Sequence, residues 1–334
     1  MILPGFHHRP GVHCGSTALC DALRARGLEL SEPMAFGLGA GLGFWYLVLP
    51  SFTPSHLFQG RGPGLERNAC EVLGAPVVER TAADAAGALQ GVREALGRGL
   101  APILSTELSR LPYWRARTPF GGHRVVLAGL DEARGVAFLA DTEHPGLQEV
   151  DLAALDEARA TLAPPFAAHG RPWMEVDAPP APRPWPAAVE EALRRQARDM
   201  LADGEGEPGL PALDRFAAEL PRWPSQAESA KDLSRCLRYG YQVIEVRGTG
   251  GGLFRRLYAR FLREAEAVAP GLARLRLAGR MEGLAAGWTG LAHGLLRLSQ
   301  GDPPAAIPAE VVEQARSLAQ GERRFFEGVA AALG

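Results

Sequence analysis

The chain has 334 residues, 46% hydrophobic and 22% charged, a profile that fits one large packed domain or two ordinary ones and excludes disorder and fibrous repeats. Thirty-six Lys and Arg against 38 Asp and Glu leave a net charge of −2, so the positive surplus that displaces counterions from phosphates is missing and nucleic acid is not an expected partner. No stretch approaches the roughly 18 apolar residues of a membrane span. Met1 to Pro10 has no apolar core behind a basic start, and the four cysteines include no CxxC pair. These features predict a cytoplasmic chain with reduced thiols and no metal, and the excess of Arg over the single Lys231 reads as the coding bias of a GC-rich bacterial genome.

In chain order, Ser16 to Arg26 sets Leu19, Ala22 and Leu23 at helical spacing, with Gly27 as a stop. Gly37, Gly39, Gly41 and Gly43 alternate, which matches neither GxGxxG nor a P-loop and allows close approach on one face, by packing or by a substrate. Ala82 to Arg98 predicts a helix and Ala101 to Ser105 a strand. His123–Leu130 and Gly135–Ala140, joined by the polar Asp131–Arg134, predict an antiparallel hairpin. The proline-dense run Ala163–Pro186 can hold neither helix nor central strand for long. Within it, Pro172–Val176 reads as a last strand and Ala178–Pro186 as a linker. Helices are then expected at Ala187–Leu201, Gly209–Glu219, Leu253–Ala269, Leu272–Leu298 and Ala309–Leu333. The expected fold class is α+β, with a mixed domain over 1–178 and a mostly helical one over 179–334.

Cys14 is the cysteine with a chemical setting. In HRPGVHCGSTAL it opens a helix, where the positive end of the macrodipole and unpaired N–H groups favour thiolate over thiol, and its own amide can meet an oxyanion. A nucleophilic cysteine needs a base, and the base needs an orienting partner. His123 begins one hairpin strand and Asp141 follows the other, so one imidazole nitrogen can meet Asp141 while the other faces Cys14. The plainer alternative is a strand-end histidine and a turn-capping aspartate.

The sequence GGHRVVLAGLDEARGVAFLADTE resembles the base end of the double-glycine branch of papain-like peptidases. Over nearly the whole chain the resemblance is to the butirosin biosynthesis protein H family. HCGSTALCDALRARGLELSEPMAFGLGAGLGFWY is similar to its N-terminal domain, and RGTGGGLFRRLYARFLREA to the uncharacterised domain that follows in many relatives. The resemblance implies a papain-like cysteine-protease fold followed by a helical domain. It also implies an acyltransferase that uses Cys14 as nucleophile, His123 as base and Asp141 as its orienter. The donor would be an acyl carrier protein or CoA thioester, with the phosphopantetheine-linked acyl group as substrate and no separate cofactor, and the acceptor a small-molecule amine.

Papain-like peptidases place a Gln before the cysteine as an oxyanion donor; this chain has His7, His8 and His13 there. His8 is the expected substitute, and His13 is either a second candidate or a packing residue. Ser31 and Glu32 can cap the next segment, and Glu32 is also a candidate to meet a cationic amine. Thr249 and Arg255, around a glycine-rich helix start, suit a phosphate or carboxylate, or else form a tight structural loop. His144, His169 and His293 share no ligand spacing. Two rival readings use the same residues: a cysteine peptidase or amidohydrolase, and a non-catalytic binding protein. Oligomeric state is not legible.

Overall fold

The computed structural model describes residues 1–116, 118–161, 163, 169–181, 183–204 and 208–334. Part of the proline-dense run therefore lies outside the described residues. In chain order the elements are α1 (Cys14–Arg24), α2 (Glu32–Leu38), β1 (Leu42–Val48), β2 (His56–Arg61), α3 (Leu65–Leu73), β3 (Val77–Arg80), α4 (Ala85–Gly97), β4 (Ile103–Thr106), β5 (His123–Asp131), β6 (Val136–Ala140), β7 (Gln148–Asp151), α5 (Leu152–Ala160) and β8 (Trp173–Val176). Helices follow: α6 (Trp185–Leu201), α7 (Leu210–Glu219), α8 (Trp223–Gln226), α9 (Ala230–Glu245), α10 (Arg255–Val268), α11 (Leu277–Ser299) and α12 (Ala309–Leu333). The mixed α+β class with a helical C-terminal region is observed. No helix among the described residues is long and apolar enough to cross a membrane.

Two compact units result. The first comprises Met1–Ala35 with Glu66–Arg183, the second Phe36–Leu65 with Pro184–Gly334. This differs from a single division after residue 178, because the segment 36–65 clusters with the later helices. The reason is its burial pattern: Phe44, Tyr46 and Phe58 of the β1–β2 hairpin are buried. The ring of Phe44 lies 5.5 Å from Phe216 and 5.7 Å from Trp288, and Phe58 lies 4.9 Å from Phe216. Aromatic side chains of this size dominate a core's apolar burial, so they fix where the hairpin belongs. The alternating glycines serve this packing. A Cβ on Gly37 would lie 2.0 Å from the Phe261 ring, and one on Gly43 would lie 2.7 Å from the Arg61 backbone. In the same unit the helix expected over Leu272–Leu298 is broken at Arg276, which is left-handed (φ 51°) and separates a short 3₁₀ turn from α11.

The first unit is built on a six-stranded antiparallel sheet in the order β3-β8-β4-β5-β6-β7. Val125 and Leu127 of β5, Leu139 of β6, Leu104 of β4 and Trp173 of β8 share a core with Val92 of α4 and Leu155 of α5. The β5–β6 hairpin turns at Asp131, whose carboxylate accepts from the Arg134 amide, and Gly135 takes the left-handed φ of 67° that ends the turn. Its register pairs Asp131 with Val136 and Val126 with Ala140. That register brings the start of β5, His123, beside the residue just past β6, Asp141.

Candidate active site

The start of α1 is fixed by side chains before Cys14 is reached. His13 is the N-cap in extended conformation (φ −113°, ψ 127°), and its Nδ1 accepts from the Ser16 amide at 3.3 Å. The Glu32 carboxylate accepts from the amides of Val12 (3.0 Å) and His13 (2.7 Å) and from the hydroxyls of Ser16 (3.1 Å) and Thr17 (3.2 Å). Glu32 is thus an anion complementing the helix terminus. This corrects the expectation that it meets an amine, because its oxygens are already filled by local donors. His13 likewise serves the helix start as a cap.

Cys14 is half-exposed, whereas Cys20, Cys70 and Cys236 are buried. Burial pushes the Cys20 and Cys236 thiols up and the Cys70 thiol up to about 12, with nearby carboxylates adding to the shift at all three. Those three are held as inert thiols, which leaves Cys14 as the chemically available sulfur.

His123 Nε2 lies 2.8 Å from Asp141 Oδ1 and 2.9 Å from Oδ2. Cys14 is near enough to the His123 side chain to raise its pKa. With Nε2 committed to the carboxylate, Nδ1 is the nitrogen left for sulfur. Burial works against the imidazolium, but the hydrogen bonds and charge of Asp141 and the nearby Cys14 outweigh it, so the His123 pKa is raised. Burial also works against the Asp141 charge, and hydrogen bonds from His123, Trp114 and Tyr113 overcome it to hold the carboxyl below its ordinary value. The geometry therefore pairs His123 with Asp141 by hydrogen bonds, and Cys14 acts on the same imidazole.

Two residues of this site were not singled out from the sequence. Tyr113 donates its hydroxyl to Asp141 Oδ2 at 2.8 Å, and Trp114 donates Nε1 to the same oxygen at 2.7 Å. The Thr142 amide donates to Oδ1 at 2.7 Å. The Trp114 ring stands edge-on to His123, with centroids 5.8 Å apart at 85°. The carboxylate is thus saturated with donors and aimed. The available signal was the adjacent aromatic pair Tyr113–Trp114 in LPYWR, in the β4–β5 connection that leads into His123.

The remaining candidates lie elsewhere or are already engaged. His8 bonds Asp21 Oδ2 through Nδ1 at 2.5 Å and the His144 carbonyl through Nε2 at 2.9 Å. Both its nitrogens face acceptors, so it offers no donor to an oxyanion. It ties the N-terminal segment to α1 and to the loop after β6, and Arg24 completes the cluster on Asp21. Burial lowers the His8 pKa, but the hydrogen bond and charge of Asp21 and the carbonyls of His144 and Asp141 raise it further, above 6.5. The stabilisation from charged His8 is therefore complete below the unfolded-state pKa and is lost as pH rises through the higher folded-state value. His8→Gln is expected to lower stability by about 2 kcal/mol near pH 5.5 and by less toward pH 9. Thermal melts across that range check this, and a pH-independent difference would show that His8 is neutral.

In the second unit, Thr249 donates to the Ile244 carbonyl at 2.8 Å and accepts from the Gly251 amide at 3.2 Å. Arg255 is fully buried against Glu322, at 2.8 Å through Nε and 2.7 Å through Nη2. Its other N–H groups go to the carbonyls of Gly60, Leu253 and Gly43. All five guanidinium donors are occupied. This corrects the expectation of an anion ligand: the glycine-rich run is a loop that inserts Arg255 into the unit's own core. Among the described residues, no group of three or more His, Cys, Asp or Glu is placed to hold a metal.

Two family models match the chain. The model for butirosin biosynthesis protein H, N-terminal, covers residues 13–142, beginning one residue before Cys14 and ending one after Asp141. The model for a domain of unknown function, DUF4872, covers residues 153–329. No curated protein matches the chain. The chain therefore belongs to the DUF4872 family, whose model spans more than half of it, and carries a butirosin biosynthesis protein H, N-terminal domain ahead of that region.

Proposed function

We propose that the chain is a cysteine acyltransferase of natural-product biosynthesis, with a papain-like catalytic arrangement, that transfers an acyl group from a carrier-protein or CoA thioester to an amine. What supports this most directly is the hydrogen-bonded His123–Asp141 pair near Cys14, with Cys14 partly exposed at a helix N-terminus and the other three cysteines buried. The Cys14 thiolate attacks the thioester carbonyl, and the amide at the start of α1 meets the oxyanion. Collapse breaks the bond to the donor sulfur, which leaves as a thiol with the Nδ1 proton of His123. An amine then attacks the acyl-Cys14 carbonyl and passes its proton to His123. The new amide departs as Cys14 returns to thiolate. Asp141 keeps the imidazole in the tautomer that both half-reactions need.

The test is intact-mass spectrometry after incubation with acyl thioesters. Wild type is expected to gain one acyl mass that Cys14→Ala lacks, and chasing with amine against water separates transfer from hydrolysis. Iodoacetamide near pH 6 provides a donor-independent check. Labelling of Cys14 no faster than that of free cysteine would overturn the reading.

A further inference from the structure

Arg124 follows His123 on β5, and its Nε donates to Glu66 Oε1 at 3.2 Å. Glu66 is buried, and its Oε1 lies 2.8 Å from where a Cβ on Gly15 would stand. The guanidinium is therefore one carboxylate away from the residue next to Cys14. Its side chain is 30% exposed, and its two terminal nitrogens make no hydrogen bond among the described residues. A guanidinium presents two edges for paired hydrogen bonds. In Arg124 the Nε edge is anchored by Glu66, and the Nη1/Nη2 edge is left to meet an anion.

We infer that Arg124 is a specificity residue that selects a reactant carrying a carboxylate close to the reacting carbonyl or amine. This rests on the acyl-transfer reading above. A fixed, partly desolvated guanidinium favours a planar anion that it can bind with two parallel hydrogen bonds, and Glu66 keeps it from turning away. The phosphate of a pantetheine arm sits at the far end of that arm from the sulfur, so it cannot reach a group at this position. The carboxylate must then belong to the acyl chain or to the acceptor.

Paired reagents distinguish the two sources. In the first arm, Cys14 is acylated with the glutaryl or the pentanoyl thioester of N-acetylcysteamine. The acyl group moves to the Cys14 sulfur, and N-acetylcysteamine leaves as the thiol. In the second arm, the acyl-enzyme is discharged with 4-aminobutyrate or butylamine, which forms the amide and frees Cys14. A preference of about 10- to 100-fold for the carboxylated reagent is expected in at least one arm. It should collapse in Arg124→Gln and be partly retained in Arg124→Lys, which keeps the charge but not the fork. The arm that shows it identifies the reactant.

No preference in either arm, a preference that survives Arg124→Gln, or failure of both donors to acylate Cys14 overturns the inference. Iodoacetamide labelling of Cys14 decides the underlying reading separately. Rapid labelling in wild type and both variants leaves the nucleophile standing whatever becomes of Arg124, and circular dichroism of the variants confirms that they fold.

Discussion

Asp141→Asn is expected to slow acylation of Cys14 by about 10³- to 10⁴-fold while the protein remains folded. The carboxylate accepts from His123, Tyr113, Trp114 and the Thr142 amide, and it has no donor of its own. An Asn amide must turn its NH₂ toward some of these donors. If it faces His123, Nε2 becomes an acceptor and the proton moves to Nδ1, the nitrogen that has to take protons from the sulfur side. If it faces Tyr113 and Trp114, two donors lose their acceptor in a buried site, at a cost of about 1–3 kcal/mol each. Single-turnover acylation followed by mass spectrometry measures the rate, and the pH dependence of iodoacetamide labelling reports the cause. Rapid labelling at pH 6 should vanish in the variant. A rate within tenfold of wild type would mean that Asp141 does not orient the base.

The second large effect is on stability. Arg255→Met leaves the Glu322 carboxylate in the core with Trp288 Nε1 as a remaining donor, and strips the donor from the carbonyls of Gly60 and Gly43. Removing one partner of a buried ion pair costs about 3–5 kcal/mol. For a unit of this size that lowers the melting temperature by roughly 6–20 °C. The double variant Arg255→Met, Glu322→Leu should recover part of the loss, because an apolar pair replaces an unpaired charge. Calorimetry of the two variants checks this. A single variant melting within 2 °C of wild type would show that Arg255 contributes little, and would reopen the idea that it serves a ligand.

These two networks mark what could and could not be read from sequence. The His123–Asp141 pairing was legible because hairpin geometry places the start of one strand against the end of the next. Helices α1 and α4 and strands β4, β5, β6 and β8 were legible through short-range pattern, whereas α3, α5, β3 and β7 were not read. Partners distant in sequence were not. Nothing around Arg255 announces Glu322, 67 residues later, so an engaged arginine reads like an available one. Asp21 claims His8 across 13 residues, and Glu32 is drawn to α1 by backbone amides that carry no sequence signal. Helix α9 was missed although Leu233, Cys236, Leu237, Gly240 and Ile244 give it a buried face, because a cysteine and a glycine dilute the apolar stripe. The strands β1 and β2 were hidden by glycines that weaken strand propensity yet make the close packing possible.

The hairpin's membership in the second unit also governs the order in which the chain can fold during synthesis. Residues 42–61 leave the ribosome early, while α6, α7, α9 and α11, against which the hairpin's aromatic rings are destined to pack, are encoded from residue 185 onward. More than a hundred residues must be translated before Phe44, Tyr46 and Phe58 find their cover, and a two-stranded hairpin is at best marginally stable alone. At bacterial-to-eukaryotic elongation rates of about 5–20 residues per second, the wait lasts on the order of ten seconds. During that interval a nascent chain carries an uncovered aromatic ribbon, and truncation after residue 183 would leave the strand pair without the helices that cover it.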